Sequence, residues 1–322
     1  MSHPRNPQSL LTPAMRDVLH AIAKAGRPPM ALLTPEQAKQ AYALGAGVLE
    51  VNAQKMARDE TLHIPTRDGA TLRAKLWAEH AKPNLPVLLY FHGGGFTVGS
   101  PETHEALCKH LAHLAHCAVV SLDYRLAPEH TFPTAHNDAL DALQWLAANA
   151  SSLSLDATRI AIGGDSAGGN LSAAACIGLR DQKGLSVQPV FQLLIYPATI
   201  MWPDTASYHA NGKGYMLTKE SIAYYTESYL RNRDDAKDWR ASPQLANNHA
   251  GLPPAFVMTA GFDPLRDEGL MYADALSRAG VSSQYICFER QIHGFITMGR
   301  VMQEANTAVS LCASVLRANL HQ

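Results

Sequence analysis

Charge is scarce in this chain: Asp, Glu, Lys and Arg make up 17% of its 322 residues, and the formal net charge is −1. Such a balance offers no basic field for nucleic acid and no acidic tail. No apolar run approaches the ~20 residues that a membrane-crossing helix needs, and Met1 to Gln8 has no apolar core that would serve as a signal peptide. The cytoplasm is therefore the expected compartment. Cysteine is thin as well. Cys108, Cys117, Cys176, Cys287 and Cys312 are odd in number and widely spaced, with no Cys-x-x-Cys. This argues against a disulfide framework and a thiolate zinc site, and leaves small buried hydrophobes. Apolar residues, by contrast, reach 47%. A chain of this length buries roughly three quarters of its unfolded surface, enough for one large α/β core or two modest domains.

One stretch organises the rest. Ile160 to Asn170 reads Ile-Ala-Ile-Gly-Gly-Asp-Ser-Ala-Gly-Gly-Asn, an apolar strand ending in glycines, one serine, and the small-residue start of a helix. A sharp strand-to-helix turn forces the serine backbone toward positive φ and brings the residues two before and two after it together, where Gly164 and Gly168 have no Cβ to collide. Ser166 is then raised at the carboxyl edge of a sheet, with the N–H of Ala167 and the helix N-terminus beside it. A bare Gly-x-Ser-x-Gly arises by chance in about one such chain in ten, so it needs support from elsewhere.

Thr12-Pro13 and Thr34-Pro35-Glu36-Gln37 carry cap signals that predict helices over Pro13 to Lys24 and Pro35 to Leu49, an arm outside any strand-helix alternation and read as half of a cap. Thr61 to Ile64, the Arg67-Asp68-Gly69 turn and Thr71 to Trp77 predict an antiparallel hairpin at a sheet edge. The buried strand Val87 to Phe91 runs into His92-Gly93-Gly94-Gly95-Phe96, where consecutive glycines let backbone N–H groups point inward as an anion-accepting nest. No Gly-Lys-Ser/Thr follows, which argues against a phosphate loop.

His104, His110, His113 and His116 crowd a helix expected from Thr103 to Leu114, but the last three turn away from its Leu107, Leu111, Leu114 stripe without converging. A solvated face is expected there, and no metal. The strand Ala118 to Asp123 leads into Tyr124 to Glu129, read as a bracing network behind the glycine loop or as a plain surface turn. A helix follows to about Ala148, then the strand of the serine turn, its helix Leu171 to Leu179, and the strand Val190 to Tyr196.

Between Pro197 and Trp239 the alternation lapses. Thr218 caps a helix from about Lys219 to Tyr229, flanked by Met201, Trp202, Tyr208, Tyr215 and Met216. These side chains either line an acyl pocket or pack cap against body. The alternation resumes with strand Ala255 to Thr259, helix Arg266 to Arg278, strand Gln284 to Phe288 and helix Val301 to Leu316.

Asp263 and His293 each lie just beyond one of these strands, as do Gly94, Gly95 and Ser166. Open α/β sheets place active residues at strand carboxyl ends, and Ser, Asp, His is the chain order that accompanies this serine turn. His293 would take the Ser166 proton during attack on a carbonyl, with Asp263 holding the other imidazole N–H. Gly94, Gly95 and Ala167 would supply N–H groups to the oxyanion. Asp267 and Glu268 are rival carboxylates, although a charged pair inside a first helical turn more readily braces a loop.

His92 to Phe96, Asp123 to Glu129, Gly164 to Asn170, Asp263 to Asp267 and His293-Gly294-Phe295 resemble the hormone-sensitive-lipase-like family of α/β-hydrolases, in its Gly-Asp-Ser-Ala-Gly branch. The resemblance implies an α/β-hydrolase fold, a mostly parallel central sheet flanked by helices with a helical cap. Residues 1–55 and 199–236 would form the cap, and 56–198 with 237–322 the catalytic domain. It further implies a carboxylesterase for short- to medium-chain acyl esters, with no cofactor, with Ser166, Asp263 and His293 as the triad, with Gly94, Gly95 and Ala167 as the oxyanion hole, and with His92, Gly93 and Asp165 as supporting loop residues. The expected partners are a small-molecule ester and water, without nucleic acid or stable membrane insertion, in a monomer or homodimer. An amidase or carbamate hydrolase with the same triad, and a non-catalytic binding module on the same scaffold, stay open at this level.

Overall fold

The computed structural model describes residues 7–182 and 188–322, so the stretch Met1 to Gln8, read above for a leader, lies mostly outside the described residues. Eight strands form one sheet: β1 (Arg58–Pro65), β2 (Thr71–Ala78), β3 (Leu85–Phe91), β4 (Ala118–Asp123), β5 (Leu155–Asp165), β6 (Phe191–Ile195), β7 (Ala255–Phe262) and β8 (Ser283–Ile292). Their spatial order is β1-β2-β4-β3-β5-β6-β7-β8. β1 pairs antiparallel with β2, as the hairpin signal implies, and β2 pairs antiparallel with β4; every other neighbour is parallel. The parallel strands β3, β4, β5, β6 and β7 read as apolar runs because helices cover both of their faces.

On one face lie α4 (Thr134–Asn149), α5 (Ala167–Asp181) and α8 (Arg266–Arg278), whose Leu140, Leu171 and Leu276 share a core with Val87, Val120 and Val257. On the other lie α1 (Pro13–Ala25), α3 (Glu105–Ala115) and α9 (Gln303–Leu320), whose Met15, Leu111 and Leu316 pack with Leu88, Val119 and Met258. Because side chains alternate across each strand, the two layers take successive residues such as Val87 and Leu88.

Both arm helices begin where their caps predict. Thr12 Oγ1 accepts from Met15 N–H ahead of α1, and Thr34 and Gln37 close a reciprocal capping box on α2 (Pro35–Gly45). α2 is shorter than expected: it stops at Gly45 rather than Leu49, because Ala46 turns extended (ψ 145°) and Gly47 takes φ 74°. Beyond β6 the insertion folds as α6 (Ala206–Asn211) and α7 (Lys219–Tyr229), the latter on the boundaries its Thr218 cap predicts. Lys39 of α2 reaches Glu129 at 2.8 Å, tying the arm to the loop after β4. Among the described residues no helix is long and apolar enough to cross a membrane.

Candidate active site

The sheet brings the predicted loops to one rim. Ser166 sits between β5 and α5 with φ 56° and ψ −117°, a conformation held because the surrounding chain leaves no alternative. Its N–H donates to Ile195 O at 2.9 Å, while its carbonyl accepts from Asn170 N–H at 3.1 Å and Ala198 N–H at 3.2 Å. A Cβ at Gly168 would collide with the Phe91 carbonyl, so this turn can lie against the end of β3 only with glycine there. The helix itself starts at Ala167, earlier than the expected Leu171, so its N-terminus meets the serine directly.

His293 follows the last residue of β8 and is largely buried. Its Nε2 lies 2.9 Å from Ser166 Oγ and its Nδ1 lies 2.7 Å from Asp263 Oδ2. Asp263, fully buried and directly after β7, accepts the N–H of Leu265 at 2.8 Å on its other oxygen. The carboxylate is therefore oriented by backbone before it orients the imidazole. Tyr196 packs against the imidazole with ring centroids 4.6 Å apart, a contact with no signal in the motif pattern.

The rival carboxylates brace loops. Asp267 accepts from Ser207 N–H at 2.7 Å, and buried Glu268 accepts from Thr199 and Ile200 N–H at 2.6 and 3.2 Å. Neither faces His293.

The glycine loop turns through φ 122° at Gly94 and φ 60° at Gly95. Neither N–H serves a loop hydrogen bond, and Ala167, as the first residue of α5, has no intrahelical acceptor for its own. Behind the loop, Gly93 N–H donates to Asp165 Oδ1 at 2.9 Å, and Tyr90 hydroxyl donates to the same oxygen at 2.8 Å. Burial pushes His92 down to about 3, so its imidazole is neutral; it stacks on Tyr124 at 4.3 Å, and Tyr124 hydroxyl donates to His92 O at 2.8 Å. Ala127 N–H adds a bond to Phe96 O. The bracing reading of the segment after β4 thus holds, but Tyr124 and backbone do it. The charged residues face elsewhere: Arg125 pairs with Asp138 and Asp68, and Asp123 with Arg73.

One expectation fails. His104 is 1% exposed, not on a solvated face. It precedes α3 in a short 3-10 turn, Glu102–His104, which rotates it inward to within 3.4 Å of Asp165 Oδ1. His113 and His116 do stay half-exposed, facing Glu79 at 2.9 and 3.9 Å. Among the described residues no group of three or more His, Cys, Asp or Glu side chains is placed to hold a metal ion.

A serine on a strained strand-to-helix turn, bridged by histidine to a buried aspartate at the carboxyl rim of a doubly covered sheet, defines a serine hydrolase. Residues 88–297 match the family model of the alpha/beta hydrolase fold, and the chain belongs to that family. It is 42% identical to carboxylic ester hydrolase LipN of Mycobacterium tuberculosis over 76% of this chain and 67% of that protein. It is 35% identical to ethyl acetate hydrolase of Pseudomonas putida over 91% and 92% of the two chains. Among solved structures, the ester-hydrolase EH1AB1 from the metagenome of Lake Arreo superposes with TM-score 0.92 at 38% identity, covering 97% of this chain and 100% of that one. The esterase of Pyrobaculum calidifontis gives 0.90 at 37%, covering 96% and 98%. The protein is a serine-dependent carboxylic ester hydrolase that works through Ser166, His293 and Asp263.

Proposed function

We propose that the substrates are small esters of short- to medium-chain carboxylic acids, and that the N–H groups of Gly94, Gly95 and Ala167 form the oxyanion hole. The observation that carries the chain-length reading is the position of Tyr225, whose ring stands so close over Gly95 that a Cβ there would strike it. Four residues on, Tyr229 stacks on Phe96 at 4.0 Å, so α7 spans the glycine loop. An acyl chain entering beside the oxyanion hole meets aromatic side chains of the insertion almost at once. That supports residues 199–236, with the 1–55 arm, as a cap over a limited pocket.

In this reading Ser166 Oγ attacks the ester carbonyl as His293 Nε2 accepts its proton, and Asp263 steadies the resulting imidazolium through Nδ1–H. The oxyanion accepts from the three N–H groups, each typically worth roughly 3 to 4 kcal/mol of barrier. His293 then protonates the departing alcohol, and water repeats the sequence to release the acid. A monomer or homodimer suffices, since one chain supplies every group named. The five free cysteines support a reducing compartment, the cytoplasm.

Initial rates on p-nitrophenyl acetate, butyrate, octanoate and palmitate at equal soluble concentration test the proposal. A maximum at butyrate or octanoate is expected; palmitate as the best substrate overturns the limited pocket. The matching p-nitroanilides separate ester from amide preference, with the ester expected to be much the faster.

A further inference from the structure

Asp165 joins the two halves of the site. Its backbone leads directly into Ser166, and its Oδ1 holds Gly93, the residue before the oxyanion glycines. A carboxylate this deeply buried is held as an anion by the hydrogen bonds it accepts and by any cation beside it. The groups around Asp165 and His104 leave one choice of cation. Tyr90 and Cys108 are buried and far from ionising, because burial pushes both well up. His92, with its ring centroid 5.7 Å from that of His104, is held neutral by burial. Glu50 is a potential second anion.

The contacts around His104 accommodate a proton on each ring nitrogen. Thr103 Oγ1 accepts from Ser100 N–H at 3.0 Å and donates its only proton to Ser100 O at 2.8 Å. With that proton so placed, a proton on Nδ1 completes the 2.9 Å contact between Thr103 Oγ1 and His104 Nδ1; with the hydroxyl turned toward the ring instead, Nδ1 accepts. Nε2 faces Asp165 Oδ1 at 3.4 Å, where a bare lone pair would meet a carboxylate oxygen, so it carries a proton. A proton on both nitrogens, an imidazolium, satisfies every one of these contacts.

We infer that His104 is a positioning residue for ester hydrolysis: as a cation it keeps Asp165 ionised, and Asp165 in turn holds the glycine loop in register with Ser166. When His104 gives its proton to solvent, Asp165 is left a buried anion without its cation, a cost that loosens the arrangement in which it grips Gly93 N–H; where His104 is replaced, Asp165 can instead take a proton and lose that grip. Burial opposes the cation, but the pull of Asp165 outweighs it and raises the His104 pKa above the ordinary imidazole value, so the cation is lost as the solution turns alkaline. Glu50, raised to about 7 by burial, ionises on the way and holds the cation longer. It lines a cleft of about 130 Å³ between α3 and α9.

Three measurements on the full chain test this. For His104→Gln, kcat on p-nitrophenyl butyrate at pH 7 should fall about tenfold or more with KM changed less than about threefold, because the oxyanion is bound mainly in the transition state. The alkaline decline of the wild-type kcat should be missing from that variant. For Glu50→Gln, kcat at pH 7 should stay within about twofold while the alkaline decline moves to lower pH. ¹⁵N-histidine spectra of the wild-type protein, assigned with the variant or, if it does not fold, by the shift of one imidazole in Glu50→Gln, should show both His104 nitrogens protonated at pH 7. A neutral His104 at pH 7, a wild-type kcat in His104→Gln, or a kcat loss that leaves the alkaline decline intact overturns the inference.

Discussion

The phenol ring of Tyr225 lies against the α-carbon of Gly95, so a side chain from the insertion forms the wall of the site directly beside a proposed oxyanion donor. The ring also confines that glycine, since no other residue type fits beneath it. Trimming the ring should lengthen the pocket. In Tyr225→Ala the octanoate-to-butyrate ratio of kcat/KM is expected to rise about tenfold, the worth of one or two accommodated methylenes. An unchanged ratio, measured on purified folded variant, removes Tyr225 from the acyl wall.

Asp263 is more than an electrostatic neighbour of His293, because the Leu265 N–H fixes one oxygen while the imidazole takes the other. Asp263→Asn keeps the shape but presents an amide that favours the wrong imidazole tautomer. A kcat loss of about 10⁴-fold with KM little changed is expected from single-turnover and steady-state kinetics. A loss below about tenfold shifts the orienting role to another group.

The triad could be read from the chain because each member follows a strand whose apolar run is visible. β7 ends at Phe262 and Asp263 is next; β8 ends at Ile292 and His293 is next. Local grammar does not reveal which side chains from distant elements arrive at the same point. His104 looks like one more member of a histidine-rich helix, and only the 3-10 turn ahead of α3 sends it inward to Asp165. Tyr225 is likewise one of several tyrosines in the insertion, and its contact with Gly95 depends on how α7 crosses the loop. The shorter α2 has a simpler cause: its cap signal marks where the helix starts, whereas Gly45-Ala46-Gly47 ends it soon after Leu44.

Burial also sets an acid limit on stability. His92 and His136, both nearly inaccessible, are held at about 3 by desolvation, and for His136 nearby Arg240 and Arg67 add to it. Below the ordinary value of 6.5 the unfolded chain binds protons that the native imidazoles refuse, so stability falls as pH drops, by about 1.4 kcal/mol per pH unit for each such group. Glu50, raised to about 7, works in the opposite sense and offsets one of the two down to its ordinary value of 4.5. Glu268, raised well above its ordinary value by burial, acts in the same sense as Glu50, so the contribution of His136 is read by difference: the melting temperature of His136→Gln relative to wild type should rise as pH falls from 6.5 to 5. A difference between the two midpoints that stays constant across this interval contradicts a neutral His136.

Asn170 holds the insertion to the nucleophile turn. It is fully buried one turn into α5, and its Nδ2 donates at 2.7 Å both to Ala198 O, where the chain leaves for the insertion, and to Ala241 O, where it has returned. Ala198 in turn donates to Ser166 O, so the same residues that set the serine also anchor the segment above it. Asn170→Ala removes both donors and leaves two carbonyls to find other partners, a loss of about 2 to 4 kcal/mol. The thermal midpoint should fall by several degrees. Limited proteolysis should cut first within residues 199–236, because both ends of that segment are released together while the sheet retains its own hydrogen bonds. Cleavage elsewhere first, or an unchanged midpoint, means that the insertion is held by its aromatic contacts at Tyr225 and Tyr229 and not by this amide.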